Sequence, residues 1–372
     1  MRLCILSLAF ALVVAPAKLG SDTQQARRWK SEPIHTFQQL GLPPMSIPSD
    51  DPLTASKISL GRRLFTDRSL SGDQSISCAT CHDPAKFFTD GRKTALGVRN
   101  RSGFRNAPSL LNVGFLTTEL WDGRVRTLEA QVGFPICNPL EMDSSQVVVL
   151  ARLANKGGYR EFFEEAFGPG PITFEHVGMA IAAFERSLIS GDSRFDKYFY
   201  GGEENALSAA AKHGLRLFVE PRKGNCASCH RIYKRSSYTA DLYGADSAPD
   251  DKQFALFTDN LFHNTGIGFE TPHTFKDLGR FLVTRSPTDI GAFKTPSLRN
   301  VSKTGPYMHD GSLRTLEDVI RFYDKGGNRN PNIDTLLHPL HLTPEERRDL
   351  VEFLQSLDGA MSLDEEKNDE PS

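Results

Sequence analysis

The chain is poor in the residues that would mark several common classes of protein. It has only six cysteines and two tryptophans in 372 residues. Its 44 basic and 46 acidic side chains leave a formal net charge of −2, so composition gives no reason to expect nucleic acid or a membrane surface as a partner. Beyond the N-terminal leader no stretch is apolar enough to span a bilayer. Between Asp83 and Glu175 there is no histidine, and Met142 is the only methionine. A metal bound in that stretch has almost no local His or Met to draw on.

What cysteine there is falls into a pattern. Cys78, Cys81 and His82 spell C-x-x-C-H, and Cys226, Cys229 and His230 spell it again. Zinc would need two further ligands at short range, and the next histidine after His82 is His176. A thioredoxin-like dithiol calls for a βαβ pattern around it, which is absent. The remaining chemistry is covalent haem. Thiols at i and i+3 lie on one side of a helical turn and add to the two vinyl groups, and the histidine falls beneath the porphyrin as an iron ligand. Two copies therefore imply two c-type haems. Cys137 is left over and reads as a small buried hydrophobe. Cys4 lies in residues 1–17, where Arg2, an apolar run from Leu3 to Val14 and the Ala15-Pro16-Ala17 site spell a cleavable signal peptide. Export to the periplasm is the expectation, since haem is joined to thiols outside the cytoplasm.

An internal repeat organises the rest. "SLGRRLF" (Ser59–Phe65) precedes the first motif and "KHGLRLF" (Lys212–Phe218) the second. "APSLLNV" (Ala107–Val113) and "WDGRVRTLE" (Trp121–Glu129) follow the first; "TPSLRNV" (Thr295–Val301) and "HDGSLRTLE" (His309–Glu317) follow the second. The expected fold is mainly α, with two class I cytochrome c-like haem domains related by approximate two-fold symmetry. The expected boundaries are a leader at 1–17, an N-terminal domain at 18–195, a C-terminal domain at 196–360 and an acidic disordered tail at 361–372. Helical spacing marks 145–167 and 173–189. Thr343, Pro344 and Glu346 spell a capping box that opens another helix. Stretches 83–120 and 231–295 are rich in Gly, Asp and Pro and read as loops around haem. Few strands are expected.

The repeat is also a ruler. Seven residues past the matched leucines Leu128 and Leu316 stand Pro135 and Tyr323. Proline has no side-chain donor for iron; tyrosine has one. One haem is thus expected to be open and the other closed. An open haem invites peroxide, whose cleavage needs a positioned acid–base group. Glu141 in "NPLEM" is the candidate, against the plain reading of a surface carboxylate. Gln131 either hydrogen-bonds on the same face or is a surface amide. Trp121 is either a relay between the haems or a core aromatic. Tyr307 and Met308 rival Tyr323 as donors, although they precede the position matched to Trp121 instead of following it.

These motifs together resemble the bacterial dihaem cytochrome c peroxidase and MauG superfamily, over essentially the whole chain after the leader. The resemblance implies that Trp121 lies between the haems, that Glu141 is the catalytic carboxylate, and that Gln131 stands beside it. It implies a calcium ion held by Asn106 and by the carbonyls of Thr304 and Pro306. Ordinary dihaem peroxidases carry methionine where Tyr323 stands, and many keep a loop histidine that has no counterpart here. Both departures point to the MauG-like branch. That branch implies a high-valent iron state formed with hydrogen peroxide and oxidation of a partner protein; in MauG the partner is methylamine dehydrogenase, whose tryptophan tryptophylquinone is completed. The alternative is a peroxidase fed by a small cytochrome c or cupredoxin, and a non-enzymatic electron carrier is a third reading. Gly224 replaces the tryptophan that MauG uses as an exit toward its substrate.

Mass spectrometry of the exported protein should show two covalent haem additions. Replacing Cys78 and Cys81 together, or Cys226 and Cys229 together, with alanine should remove one addition each. A chain carrying one haem or none in the unaltered form would refute the assignment.

Overall fold

The computed structural model describes residue 34 and residues 38–233, 254–270 and 274–361. The leader, Cys4, Trp29 and nearly all of the acidic tail lie outside the described residues. Twelve α-helices carry these segments: α1 Ala55–Thr66, α2 Cys78–Cys81, α3 Leu128–Gln131, α4 Gly133–Cys137, α5 Gln146–Asn155, α6 Tyr159–Phe167, α7 Phe174–Ser187, α8 Arg194–Phe199, α9 Ala209–Val219, α10 Phe281–Thr284, α11 Leu316–Asp324 and α12 Pro344–Gln355. Sheet is confined to three antiparallel pairs of two-residue strands among the described residues. The fold is mainly α, as expected.

One expected helix divides. Residues 145–167 form α5 and α6, because Gly158 takes a left-handed φ of 84° ahead of α6 and breaks the ladder. The helix expected at 173–189 forms as α7, capped by Thr173, whose hydroxyl accepts from the amide of His176. Around α12 the capping box is complete: Thr343 Oγ1 accepts from Glu346 N at 3.1 Å, and Glu346 Oε2 accepts from Thr343 N at 2.8 Å. The stretch 83–120 contains only short 3₁₀ turns, and the described part of 231–295 adds only α10, a 3₁₀ turn and strand fragments.

The chain buries apolar side chains in separate clusters. Two adjoining clusters are built from residues between Leu53 and Leu188, where α7 packs on α1. The other runs from Phe195 to Leu357, where α12 packs on α9. These helix pairs are the same device used twice. Gly61 in α1 and Gly214 in α9 are matched in the repeat, and each admits a neighbouring backbone. A Cβ at Gly61 would lie 1.9 Å from the Ala180 carbonyl oxygen; one at Gly214 would lie 2.0 Å from that of Asp349.

The later repeated segments also fold alike. Ser109 Oγ donates to Phe87 O and Ser297 Oγ to Leu256 O, both at 2.7 Å. Asn112 and Asn300 both take left-handed conformations and both reach Ser190, which joins the halves. Where the chain crosses between the clusters, Arg299 forks onto both oxygens of Asp196 at 2.8 and 2.9 Å, with each side chain 1 % exposed or less. Main-chain bonds close the junction further: Lys294 N donates to Trp121 O at 2.9 Å, and Asn106 N to His309 O at 2.8 Å.

Gly61→Ala and Gly214→Ala should each destabilise the fold by about 1–3 kcal/mol, the usual cost of overpacking, despite alanine's better helix propensity. Denaturant melts should shift for both. An unchanged midpoint would mean that the helix pairs have slack.

Candidate active site

Both C-x-x-C-H segments wind one tight turn. The amide of His82 bonds Cys78 O at 2.9 Å, and that of His230 bonds Cys226 O at 2.8 Å. All five described cysteines are free of disulfides. Burial, the largest cause in each case, pushes the thiols of Cys78, Cys81 and Cys226 up to about 12, which favours the neutral thiol. Cys137 is half-buried and packs against the core cluster that contains Val132, Ile136 and Val149.

The histidines are held by main chain. His82 Nδ1 lies 3.1 Å from both Phe88 O and Pro108 O. His230 Nδ1 lies 2.7 Å from Phe257 O, with the carbonyl of Pro296 also beside it. Pro108 and Pro296 are matched residues of the repeated "PSL" segments. With Nδ1 committed as donor, Nε2 is the ring nitrogen left for a metal, which is the usual backing of a ligating imidazole. Burial lowers the pKa of both rings, keeping them neutral and fit to bind iron.

Both motifs open on one continuous cavity of about 880 Å³. Trp121, Gln131, Pro135, Glu141, Tyr323, Asn106, Thr304 and Pro306 line it as well, so the candidate haem, catalytic and calcium residues reach the same space. Paired thiols, backed imidazoles and a largely apolar cavity fit two haems. When bound, these groups supply the redox chemistry; the chain's own residues orient, exclude water and handle protons.

On the first-motif side of the cavity stands a carboxylate. Glu141 is half-buried, not a surface carboxylate. Its Oε1 accepts from Asn138 Nδ2 at 2.6 Å, and burial raises its pKa, opposed by Asn138 and Arg124. Pro135 sits in the middle of α4. Trp121 donates Nε1–H to Asn106 O at 3.0 Å. Asn106 Nδ2 donates to Arg92 O at 2.8 Å, which turns the amide oxygen the other way.

On the second-motif side stands Tyr323, in α11. Its hydroxyl makes no hydrogen bond among the described residues. Burial raises its pKa, and the nearby Cys229 and Cys226 add to the rise. Tyr307 donates its hydroxyl to Val301 O at 2.9 Å and is committed there. Met308 also lines the cavity. Gly224 has a physical reason: a Cβ there would lie 2.4 Å from Leu217 O, so this turn has no room for a tryptophan.

Three features were not foreseen from sequence. His263 is clamped between Asp334 at 2.5 Å and Asp259 at 2.9 Å, beside Cys229; these two carboxylates raise its pKa to about 12. Arg105 bridges Asp122 at 2.7 Å and Asp277 at 2.6 Å across the junction. Glu185 is a buried carboxylate on the cavity wall. For Glu185 the signal was present, as an acidic residue beside Arg186 in the mostly apolar "AIAAFERSLI". Asp259 lies four residues before His263, but the second aspartates, Asp334 for His263 and Asp277 for Arg105, are 71 and 172 residues away and left no local signal.

The site defines a two-haem c-type oxidoreductase. Residues 55–205 match the family described as di-haem cytochrome c peroxidase, and residues 211–358 match cytochrome c. The chain is 40 % identical over 313 residues to "Methylamine utilization protein MauG" of Methylorubrum extorquens, covering 83 % of this chain and 80 % of that protein. It is 35 % identical over 332 residues to "Cytochrome-c peroxidase IdrP1" of Denitromonas iodatirespirans, covering 86 % of each. A solved MauG-like protein associated with microbial copper homeostasis superposes with a TM-score of 0.73 at 34 % identity, covering 86 % of this chain and 94 % of that one. The chain therefore belongs to the dihaem cytochrome c peroxidase and MauG family, and is a peroxide-dependent dihaem oxidoreductase working with a redox partner.

Glu141→Gln should slow peroxide consumption by roughly 10²–10⁴-fold, the usual contribution of a positioned acid–base group, while haem content stays unchanged. The carboxylate is the form that accepts a proton, so wild-type activity should fall as pH drops through the raised pKa, above the ordinary 4.5. That acid limb should be missing from the Gln variant. Stopped-flow rates across pH check both points.

Proposed function

We propose that this protein is an exported, MauG-like oxidase that uses hydrogen peroxide to oxidise a partner protein. The observation that carries the reading is Tyr323, half-buried on the cavity wall near Cys226 and Cys229 with its hydroxyl unclaimed among the described residues. In this reading His82 and His230 are the proximal iron ligands and Tyr323 closes the second haem. The first haem is open beneath Pro135, with Glu141 and Gln131 as its acid–base and hydrogen-bonding groups. Trp121 stands between the haems. An anionic oxygen ligand favours higher oxidation states of iron, whereas methionine raises the potential and suits electron acceptance from a cytochrome or cupredoxin. The absence of an exit tryptophan at Gly224 argues for a partner other than one docked as methylamine dehydrogenase docks on MauG. The N-terminal leader supports a periplasmic location, and no described helix is long and apolar enough to cross a membrane.

A calcium ion between the halves belongs to the same reading. Asn106 offers its amide oxygen, and Thr304 and Pro306 offer carbonyls; such hard oxygen donors suit calcium. Treatment with EGTA should perturb the haem spectra, and added calcium should restore them. Indifference to chelation, with no calcium found by elemental analysis, would remove the ion.

Resting ferric protein should react with peroxide without prior reduction. In EPR and optical spectra Tyr323→His should keep the second haem low-spin, and Tyr323→Met should raise its potential and favour peroxidase turnover with a small cytochrome. If neither change alters the second haem, Met308 becomes the leading donor and the cytochrome c peroxidase reading replaces this one.

A further inference from the structure

One buried carboxylate of the cavity keeps an oxygen without a hydrogen-bond partner among the described residues. Glu185, near the end of α7, is 5 % exposed, and its Oε2 makes no hydrogen bond. It lies on the Cys78 side, where its charge reaches that thiol; the charge of Glu141 reaches Cys81 instead. The two carboxylates thus serve different edges of the first haem's space.

The neighbours do not neutralise Glu185. Arg186, next in sequence, pairs with Glu129 on α3, Nη1 to Oε1 at 2.5 Å. Glu119, 6 % exposed, faces it with a like charge. Lys294, the cation that balances Glu119, spends its ammonium on Thr118 O at 2.8 Å. Burial first, then Glu119 and Glu129 against Arg186, raise the pKa of Glu185 to about 8. The carboxyl is therefore held as an acid at neutral pH, within reach of a physiological change in charge. Glu129 is 21 % exposed and gives the cluster an edge on solvent.

Reduction of one hydrogen peroxide to two waters takes two electrons, supplied by the redox partner, and two protons. A carboxylate that moves a proton from one peroxide oxygen to the other, as Glu141 is placed to do, adds none on balance. The two must enter from outside. We propose that Glu185, backed by Glu119 and Glu129, is the proton-loading group of the first haem cavity, taking up one proton for each electron that enters. Its O–H bond breaks as an O–H bond forms on the oxygen being reduced, and the carboxylate regains a proton from solvent through Glu119 and Glu129.

Redox titration of the haem-loaded protein at a series of pH values tests this. Around pH 8 the potential of the first haem should fall as pH rises, approaching 59 mV for each tenfold change in proton activity, the one-electron value. Glu185→Gln keeps the shape and should flatten that slope; Glu185→Asp should retain one. Redox-difference infrared spectra should show a carboxylic-acid carbonyl band that disappears in Glu185→Gln and persists in Glu141→Gln. An undiminished slope and an unchanged band in Glu185→Gln would assign proton uptake to the haem propionates and overturn the proposal. Should that variant fail to load haem, Glu119→Gln decides the matter. Loss of the like charge should move the sloping window to lower pH, and an unmoved window would overturn the proposal.

Discussion

Each motif histidine has one ring nitrogen tied to the main chain, and much of the fold exists to keep it so. A free imidazole turns about two bonds and offers either nitrogen to a metal. His82 and His230 offer one, because carbonyls hold Nδ1 at 2.7–3.1 Å. Those carbonyls must themselves be fixed. The repeated "PSL" segments do this with serine hydroxyls pinned to Phe87 O and Leu256 O. The segments in turn are fixed by left-handed asparagines that reach Ser190. The repeat therefore backs both motif histidines through segments that lie outside the motifs themselves.

On this symmetric scaffold the asymmetry is local. Thr127 and Thr315 cap matched helices. In the second half α11 runs unbroken from Leu316 to Asp324. In the first half the equivalent helix is divided into α3 and α4, and proline lacks the amide that would continue the ladder at Pro135. A proline at that position also removes any side-chain donor. A proline here thus goes with both a divided helix and a face that lacks a side-chain donor, and a duplicated unit comes to have two different sides.

Much of this was legible in the sequence because the signals were local. C-x-x-C-H is a motif of five consecutive residues, and the matched leucines place Pro135 and Tyr323 by counting. The capping box at Thr343 is likewise contained within one turn. The split at Gly158 was missed because apolar spacing continues across it, while a left-handed φ does not show in periodicity. The clamp on His263 could not be read, since Asp334 lies 71 residues away and only the fold brings it near. Arg105 and Asp277 are separated by 172 residues and escaped for the same reason.

The contacts at the junction also explain why the two sites share one cavity instead of facing each other across a movable gap. Asn106 uses its main chain in both directions: its amide donates to His309 O, and its carbonyl accepts from Trp121 Nε1. Trp121 and His309 are matched positions of the repeat, so a single residue ties the same point of both halves. Arg280 adds two bonds to the carbonyls of Asp122 and Gly123, at 2.9 and 2.8 Å. Main-chain atoms cannot swing away as surface side chains do. Separation of the halves would expose these bonds together with the buried charges of Asp122 and Lys294 and the half-buried Arg105. The spacing of the two redox groups is thereby fixed by backbone, and adaptation to different partners is left to the exposed surface around them.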